Sequence, residues 1–344
     1  MKYRHYGLIE EYLLSEKIEK ALVIGIGGGG DILATIPTAN FLETLGINVI
    51  LGAVIWERWV VDPEPGPIKM EELINKEEFE ETIAFVNKDT YAIRGGRKII
   101  PQVVNVAKTL NKKLIAIDIS KGVRSIIRDI ERFSRKNKID LIIGIDGGGD
   151  VLAKGGEADL WSPVADQMML AVLANITSDS ILGVFGIGTD GELSIHYLLR
   201  RLSEIAKLGG YIGLRGITKK DVAMIEKLME NVVTETNKIA ILSAKGEYGQ
   251  LSIRSGSRIV DLSLGILTPV TIYLNPKIVF ETSKMAKAIM NAQDIWRVKE
   301  ILNEMGIFTE IDLEIGIKEY LEKGLQPDLK QIKNEWYQKR GKIK

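Results

Sequence analysis

Ala21-Leu22-Val23-Ile24-Gly25-Ile26-Gly27-Gly28-Gly29-Gly30-Asp31 is the stretch whose reading decides the fold, because its construction returns further along the chain. Gly25-Ile-Gly-Gly-Gly-Gly-Asp31 aligns with Gly144-Ile-Asp-Gly-Gly-Gly-Asp150, and Ile32-Leu33-Ala34 with Val151-Leu152-Ala153. Pro37-Thr-Ala-Asn40 answers Pro163-Val-Ala-Asp166 if residues 154–162 are an insertion. A looser copy runs from Val184 to Leu193 and includes Gly186, Gly188, Asp190 and Glu192. Each copy reads as an apolar strand, a glycine-rich turn, a carboxylate and an amphipathic helix. Repetition of that unit predicts a Rossmann-like α/β three-layer sandwich with a mostly parallel sheet and an internal duplication of the strand-loop-helix unit.

Glycines at a strand-to-helix turn let the backbone approach a ligand closely, and a helix start attracts anions. Gly25-x-Gly27-x-x-Gly30 and Gly186-x-Gly188-x-x-Gly191 fit the dinucleotide fingerprint literally, so an NAD(P)- or FAD-binding oxidoreductase is one reading. Two features oppose it. Asp31, Asp150 and Glu192 follow the last glycines directly, where they would repel a bare pyrophosphate. The second strand, near residues 48–54, also lacks the acid that holds a ribose. A bridging Mg²⁺ resolves the first conflict, since it takes oxygen ligands from carboxylates and phosphates together. Either aspartate alone would serve as a helix cap. The pair, with Asp146 and an acidic insertion beside it, points to a ligand site.

The candidate site follows from that choice. Asp31, Asp146 and Asp150 are the expected metal ligands. Gly27, Gly28, Gly29, Gly30, Gly147, Gly148, Gly149 and Gly188, with Asp190, are expected to contact the ligand, Lys154 to act electrostatically, and Asp150, Glu157 and Asp166 to do the acid-base work. His196 and Arg200 lie four apart on a helix, which makes the histidine a second candidate base. Arg254 and Arg258 flank a Ser-Gly turn and would clamp a phosphate or face solvent.

Composition narrows the classes. The chain has 344 residues, 45% of them hydrophobic, enough for a large α/β domain with an appendage. Lys plus Arg and Asp plus Glu both total 46, so no basic field implies a nucleic-acid partner. With no cysteine and two histidines, metal chemistry must use oxygen ligands, which favours Mg²⁺, Mn²⁺ or Ca²⁺. The N-terminus lacks a signal-peptide core and no apolar run reaches spanning length, so a cytoplasmic protein without a membrane partner is expected. Non-catalytic sensing of a small metabolite is the reading from another class.

In chain order, helices are expected at 6–18, 31–45, 71–85, from 101, at 121–136 and at 192–207. Strands are expected at 48–54, 114–118, 141–145, 238–243 and 270–274. Asp62-Pro-Glu-Pro-Gly-Pro67 reads as a stiff loop able to wall the site. Residues 1–275 form the ligand-binding domain in this reading, and 276–344 a small helical appendage that packs on it or supports a homo-oligomer.

The segments GIGGGGDILAT (25–35) and GIDGGGDVLAKGGEADLWSP (144–163), the Asp62–Pro67 loop and Gly306-Ile-Phe-Thr-Glu-Ile-Asp312 together resemble a mainly archaeal family classed as a domain of unknown function. That resemblance spans nearly the whole chain and implies no catalytic residue or substrate. The expectation from the residues is therefore binding of a nucleotide or other phosphorylated small molecule, with Mg²⁺-dependent phosphoryl or nucleotidyl transfer, or hydrolysis.

Overall fold

Alternation of apolar residues in the first strand sends Leu22, Ile24 and Ile26 to one side and Ala21 and Val23 to the other, and both sets are buried. A strand buried on both faces belongs inside a parallel sheet covered by helices. The computed structural model, which describes residues 9–341, shows this arrangement. Its central sheet has nine strands: β1 (Lys20–Gly25), β2 (Asn48–Val54), β3 (Glu77–Glu80), β4 (Ile83–Val86), β5 (Leu114–Ile117), β6 (Leu141–Gly147), β7 (Asp179–Phe185), β8 (Tyr211–Gly216) and β9 (Val270–Leu274). They lie in the order β8-β9-β7-β6-β1-β2-β5-β4-β3. The five strands from β7 to β5 are mutually parallel, and an antiparallel pair closes each side.

The chain runs outward from β1 to β2 and β5, then returns to the other side of β1 to lay down β6 and β7. Strand order therefore reverses between β1 and β6. In open parallel sheets, ligands bind outside the carboxyl ends of the strands at such a reversal. The three glycine loops leave β1, β6 and β7 at that edge, side by side.

Helices cover both faces. Val123–Asn137, Pro163–Asn175 and the later helices Pro276–Thr282, Lys284–Ile289 and Ile295–Glu304 pack on the Leu22 side. Thr35–Thr44, Gln102–Leu110, Lys219–Met229 and Glu235–Ala244 pack on the other. The last helices, Glu310–Glu322 and Leu329–Lys339, meet the main body through an aromatic stack in which Phe308 lies edge-on between Trp161 and Trp336.

Two expected elements change type. Residues 71–85 form a short 3₁₀ turn and three strands in place of a helix. Asn75 takes a left-handed φ of 58°, which interrupts any helix, and Phe79 and Phe85 pack against Phe133 from opposite strands. Glu77 and Glu80 lie instead on the sheet's edge strand, where charge discourages pairing with another chain. Residues 238–243 are helical, within Glu235–Ala244, because Thr234 caps the turn by accepting from the Asn237 N–H. Their continuous apolar run is buried on several sides, a pattern shared by interior strands and interior helices. The helix expected at 31–45 begins at Thr35, after a 3₁₀ turn at Gly29–Ile32. The first helix is described from Ile9 to Ser15; residues 6–8 of that expectation lie outside the described residues.

The proline loop is fastened by Arg94, which reads as part of a basic turn in the sequence. Its Nε pairs with Asp62 at 2.6 Å, and its terminal nitrogens donate to Glu72 and to the carbonyls of Glu64, Gly66 and Pro67. Replacing Arg94 with Met leaves the buried Asp62 without its cation. Urea unfolding should show a loss of about 3–5 kcal/mol, as for other broken buried pairs.

Candidate functional site

The site begins with Asp31. Its Oδ2 accepts the N–H of Gly27 at 2.8 Å and of Gly147 at 3.2 Å, so one carboxylate ties the loop after β1 to the end of β6. Asp31 is therefore not a cap of its own helix; its oxygen turns back into the sheet edge. Asp146 and Asp150 stand beside it from the second loop, Asp166 arrives from the first turn of Pro163–Asn175, and Asp190 and Glu192 come from the third loop. These six acids border a cavity of about 20 Å³, into which Arg58 and Arg254 also face.

Within this group, oxygens of Asp31, Asp146 and Asp166 lie within 4.8 Å of one another. Asp166 Oδ1 and Asp190 Oδ2 are buried without a hydrogen-bond partner. Asp146 accepts a long bond from the Val151 N–H, at 3.4 Å, and Asp150 one of the same length from Ser162 Oγ. Buried acceptors left in this state are costly, and charges so close repel.

The acidities follow. Burial pushes Asp31 up to about 6, and burial with the Glu192 charge pushes Asp190 up to about 7. Asp146, Asp150 and Asp166 are held well above the ordinary carboxylate range by burial and then by neighbouring carboxylates, Asp31 and Asp190 acting on Asp146, Asp166 and Glu192 on Asp150, and Asp146 and Asp31 on Asp166. Glu192 goes the other way. Burial raises it, but Arg258 at 2.9 Å, Ser162 Oγ and the Trp161 N–H together bring it below its usual value.

Above the acids opens a chamber of about 490 Å³. Gly27, Asp31, Arg58, Thr236 and Arg254 line both spaces, so the chamber leads directly to the carboxylates. Its polar end carries Arg58 and Arg254. Its outer end is apolar, formed by Trp59, Val60, Val233, Pro327 and Leu329. Arg58 makes no side-chain hydrogen bond and no ion pair within 4.0 Å among the described residues, although the charges of Glu192, Glu310, Asp150 and Asp31 surround it. Arg254 holds a φ of 53°, which is rare outside glycine, and its Nε pairs with Glu235 at 2.7 Å.

Several expected contributors sit elsewhere. Glu157 folds over its own turn, accepting from the N–H groups of Lys154 and Gly155 and from the Tyr197 hydroxyl. Lys154 reaches Glu204 at 2.5 Å. Neither borders the acidic cavity. His196 and Arg200 are solvent-exposed. Arg258, one of the two arginines read as a phosphate clamp or a surface pair, is buried against Glu192. The Asp62–Pro67 loop lies outside the chamber lining; the neighbouring Arg58-Trp59-Val60 provides that wall.

Loop amides are also committed. Gly27 and Gly147 donate to Asp31, Gly29 to the Trp56 carbonyl, Gly148 to the Phe185 carbonyl and Gly188 to the Gly148 carbonyl. Sequence reasoning passed over Arg58, which has no periodic or motif signal and is recognised only by where the chain puts it. It also passed over Glu310, whose carboxylate accepts the Val164 and Ala165 N–H groups and so holds the start of the helix bearing Asp166.

A sequence model of one family matches residues 22–318, more than half of the chain, and spans all three glycine loops and all six acids. The chain belongs to the family described as "Protein of unknown function (DUF1152)". No curated protein matches the sequence. Among the described residues, no helix is long and apolar enough to cross a membrane.

Away from the six acids, this family member buries Glu57 and Glu314, each pushed by burial from 4.5 up to about 8. Below about pH 4.5 both the folded and the unfolded chain hold these protons. As pH rises toward 8 the unfolded chain releases them first, so stability falls by up to about 1.4 kcal/mol per pH unit for each group. Urea midpoints between pH 5 and 8 should decline, and Glu314→Gln should make the decline shallower.

Proposed function

We propose that the protein is a divalent-cation-dependent enzyme acting on a phosphorylated small molecule. The observation behind this reading is the meeting of three carboxylates, with the unpartnered Asp166 Oδ1 among them, at the floor of a chamber whose wall carries Arg58 without a hydrogen-bonding partner. A hard cation such as Mg²⁺ takes oxygen ligands from carboxylates and phosphates at once. Asp31, Asp146 and Asp166 would hold it, and its charge would favour their ionised forms against the burial that lifts all three and the repulsion that adds to it at Asp146 and Asp166.

Arg58 and Arg254 would take the phosphate oxygens, guanidinium being well matched to that geometry. They take over this role from the amides of Gly27, Gly29, Gly147, Gly148 and Gly188, which already donate within the protein. The apolar end at Trp59, Val60 and Val233 would receive the body of the substrate, and 490 Å³ lies within the range of ordinary small-molecule sites. Asp190, with its unpartnered Oδ2, is placed to accept a proton from an attacking water or hydroxyl, and Asp150 supports it from the second loop. The reaction class is phosphoryl or nucleotidyl transfer, or hydrolysis. A dinucleotide cofactor is less well supported, because the Gly27 amide of the fingerprint loop already donates to Asp31 and no acid ends the second strand to hold a ribose.

Thermal shift with NAD, NADP, ATP, ADP, AMP and sugar phosphates, each with and without Mg²⁺, tests the proposal. A phosphorylated compound near a hundred times its dissociation constant should add about 2.7 kcal/mol, and only with the cation present. Asp146→Asn should abolish the cation's own effect while raising the stability of the metal-free protein, because one repelling charge is gone. Arg58→Ala should keep the cation and lose the phosphate. A shift with NAD or NADP that ignores Mg²⁺ would defeat the proposal.

A further inference from the structure

On the far side of the Glu192–Arg258 pair lies another chamber, of about 640 Å³. Glu192 borders both this chamber and the acidic cavity, so the ion pair acts as the partition between them. The chamber's walls combine Trp161 and Tyr337 with three cations, Arg258, Lys330 and Lys333. Nothing in the metal-centred reading makes use of these residues.

Arg258 is 6% exposed. One terminal nitrogen is held by Glu192 at 2.9 Å and the Asp190 carbonyl at 3.2 Å, yet its Nε is buried and has no hydrogen-bond partner. Lys333 is buried too; its Nζ donates to the Leu160 carbonyl at 2.8 Å and lies 4.2 Å from the centre of the Trp161 ring. Lys330 is exposed, one helical turn before Asn334. Opposing these are two acids. Glu192 is already bonded to Arg258, Ser162 and the Trp161 N–H, and Asp159 stands toward Lys333 and Tyr337. A cation remains at the chamber's rim, and an unsatisfied guanidinium donor remains buried in its wall.

We propose that this chamber is a second ligand site, distinct from the metal-centred one, for a small organic compound bearing a phosphate or carboxylate group. The anionic group meets Arg258 Nε and Lys330. The body of the compound packs on Trp161 and Tyr337, aromatic faces that a compact organic group covers well. Binding here needs no metal.

Calorimetric titration of inorganic pyrophosphate, in the presence of a chelator, tests the site without reference to the metal. The Arg58→Ala protein is used, so that the first chamber lacks its free guanidinium. Saturable one-to-one binding is expected. Lys330→Glu and Arg258→Lys, each added to that background, should weaken it about tenfold or more, the scale of a lost charge-assisted hydrogen bond. Arg258→Lys keeps a cation against Glu192, and an unchanged melting temperature confirms the fold. Absence of saturable binding in the Arg58→Ala protein, or an affinity that neither added substitution lowers below that of the Arg58→Ala protein, overturns the proposal. Failure of the metal-centred reading would appear separately, as absence of any Mg²⁺ effect on the wild-type protein.

Discussion

Mutual repulsion among carboxylates gathered at one sheet edge is the constraint around which the functional end of the molecule is built. Asp31 sits at its centre, holding the amides of Gly27 and Gly147 with a single oxygen. Such a bond to two donors favours the charged form, yet burial outweighs it and leaves the group near 6. Behind it, burial lifts Asp146, Asp150 and Asp166 further, and neighbouring carboxylates add to each. Four aspartates held so close cost the fold stability, and Arg58 alone does not balance the set.

The glycines take on a different meaning in this light. A β-carbon at Gly27 would lie 2.7 Å from Asp31 Oδ2 and 2.9 Å from Asp166 Oδ1, and one at Gly147 would lie 2.9 Å from Asp31 Oδ1. At Gly148, where φ is +120°, it would strike Asp190. These positions lack side chains because the acids occupy the space. The loops resemble phosphate cradles in sequence, but what they cradle is the protein's own carboxylates.

That distinction marks how far the sequence could be read. Strands β1, β6 and β7 were legible because strand, glycine turn and acid recur in the same order, and their adjacency follows from parallel pairing. Asp31, Asp146, Asp150 and Asp190 stand out in the sequence for the same reason, and Asp166 because Pro163-Val-Ala-Asp166 answers Pro37-Thr-Ala-Asn40; the fold brings all five to one cavity. Glu157 and Lys154 were misplaced because nearness in sequence was taken for nearness in space, whereas a turn carries them toward Tyr197 and Glu204. Arg58 was invisible because its importance lies in having nothing to pair with. Residues 71–85 misled because glutamates spaced along an edge strand imitate the polar face of a helix, and only Asn75 shows where the backbone turns.

The contact from Glu310 to the amides of Val164 and Ala165 links the start of the Asp166 helix to a residue 146 positions later. During synthesis, β1, β6 and β7 can pair long before that glutamate leaves the ribosome. The nascent chain therefore holds an acidic edge whose key helix lacks its final anchor, and residues so distant in sequence close their contacts slowly. Maturation of the centre is tied in this way to completion of the chain: a polypeptide that stops short of the Glu310–Glu322 helix can build much of the sheet but leaves the Asp166 helix without that carboxylate at its start.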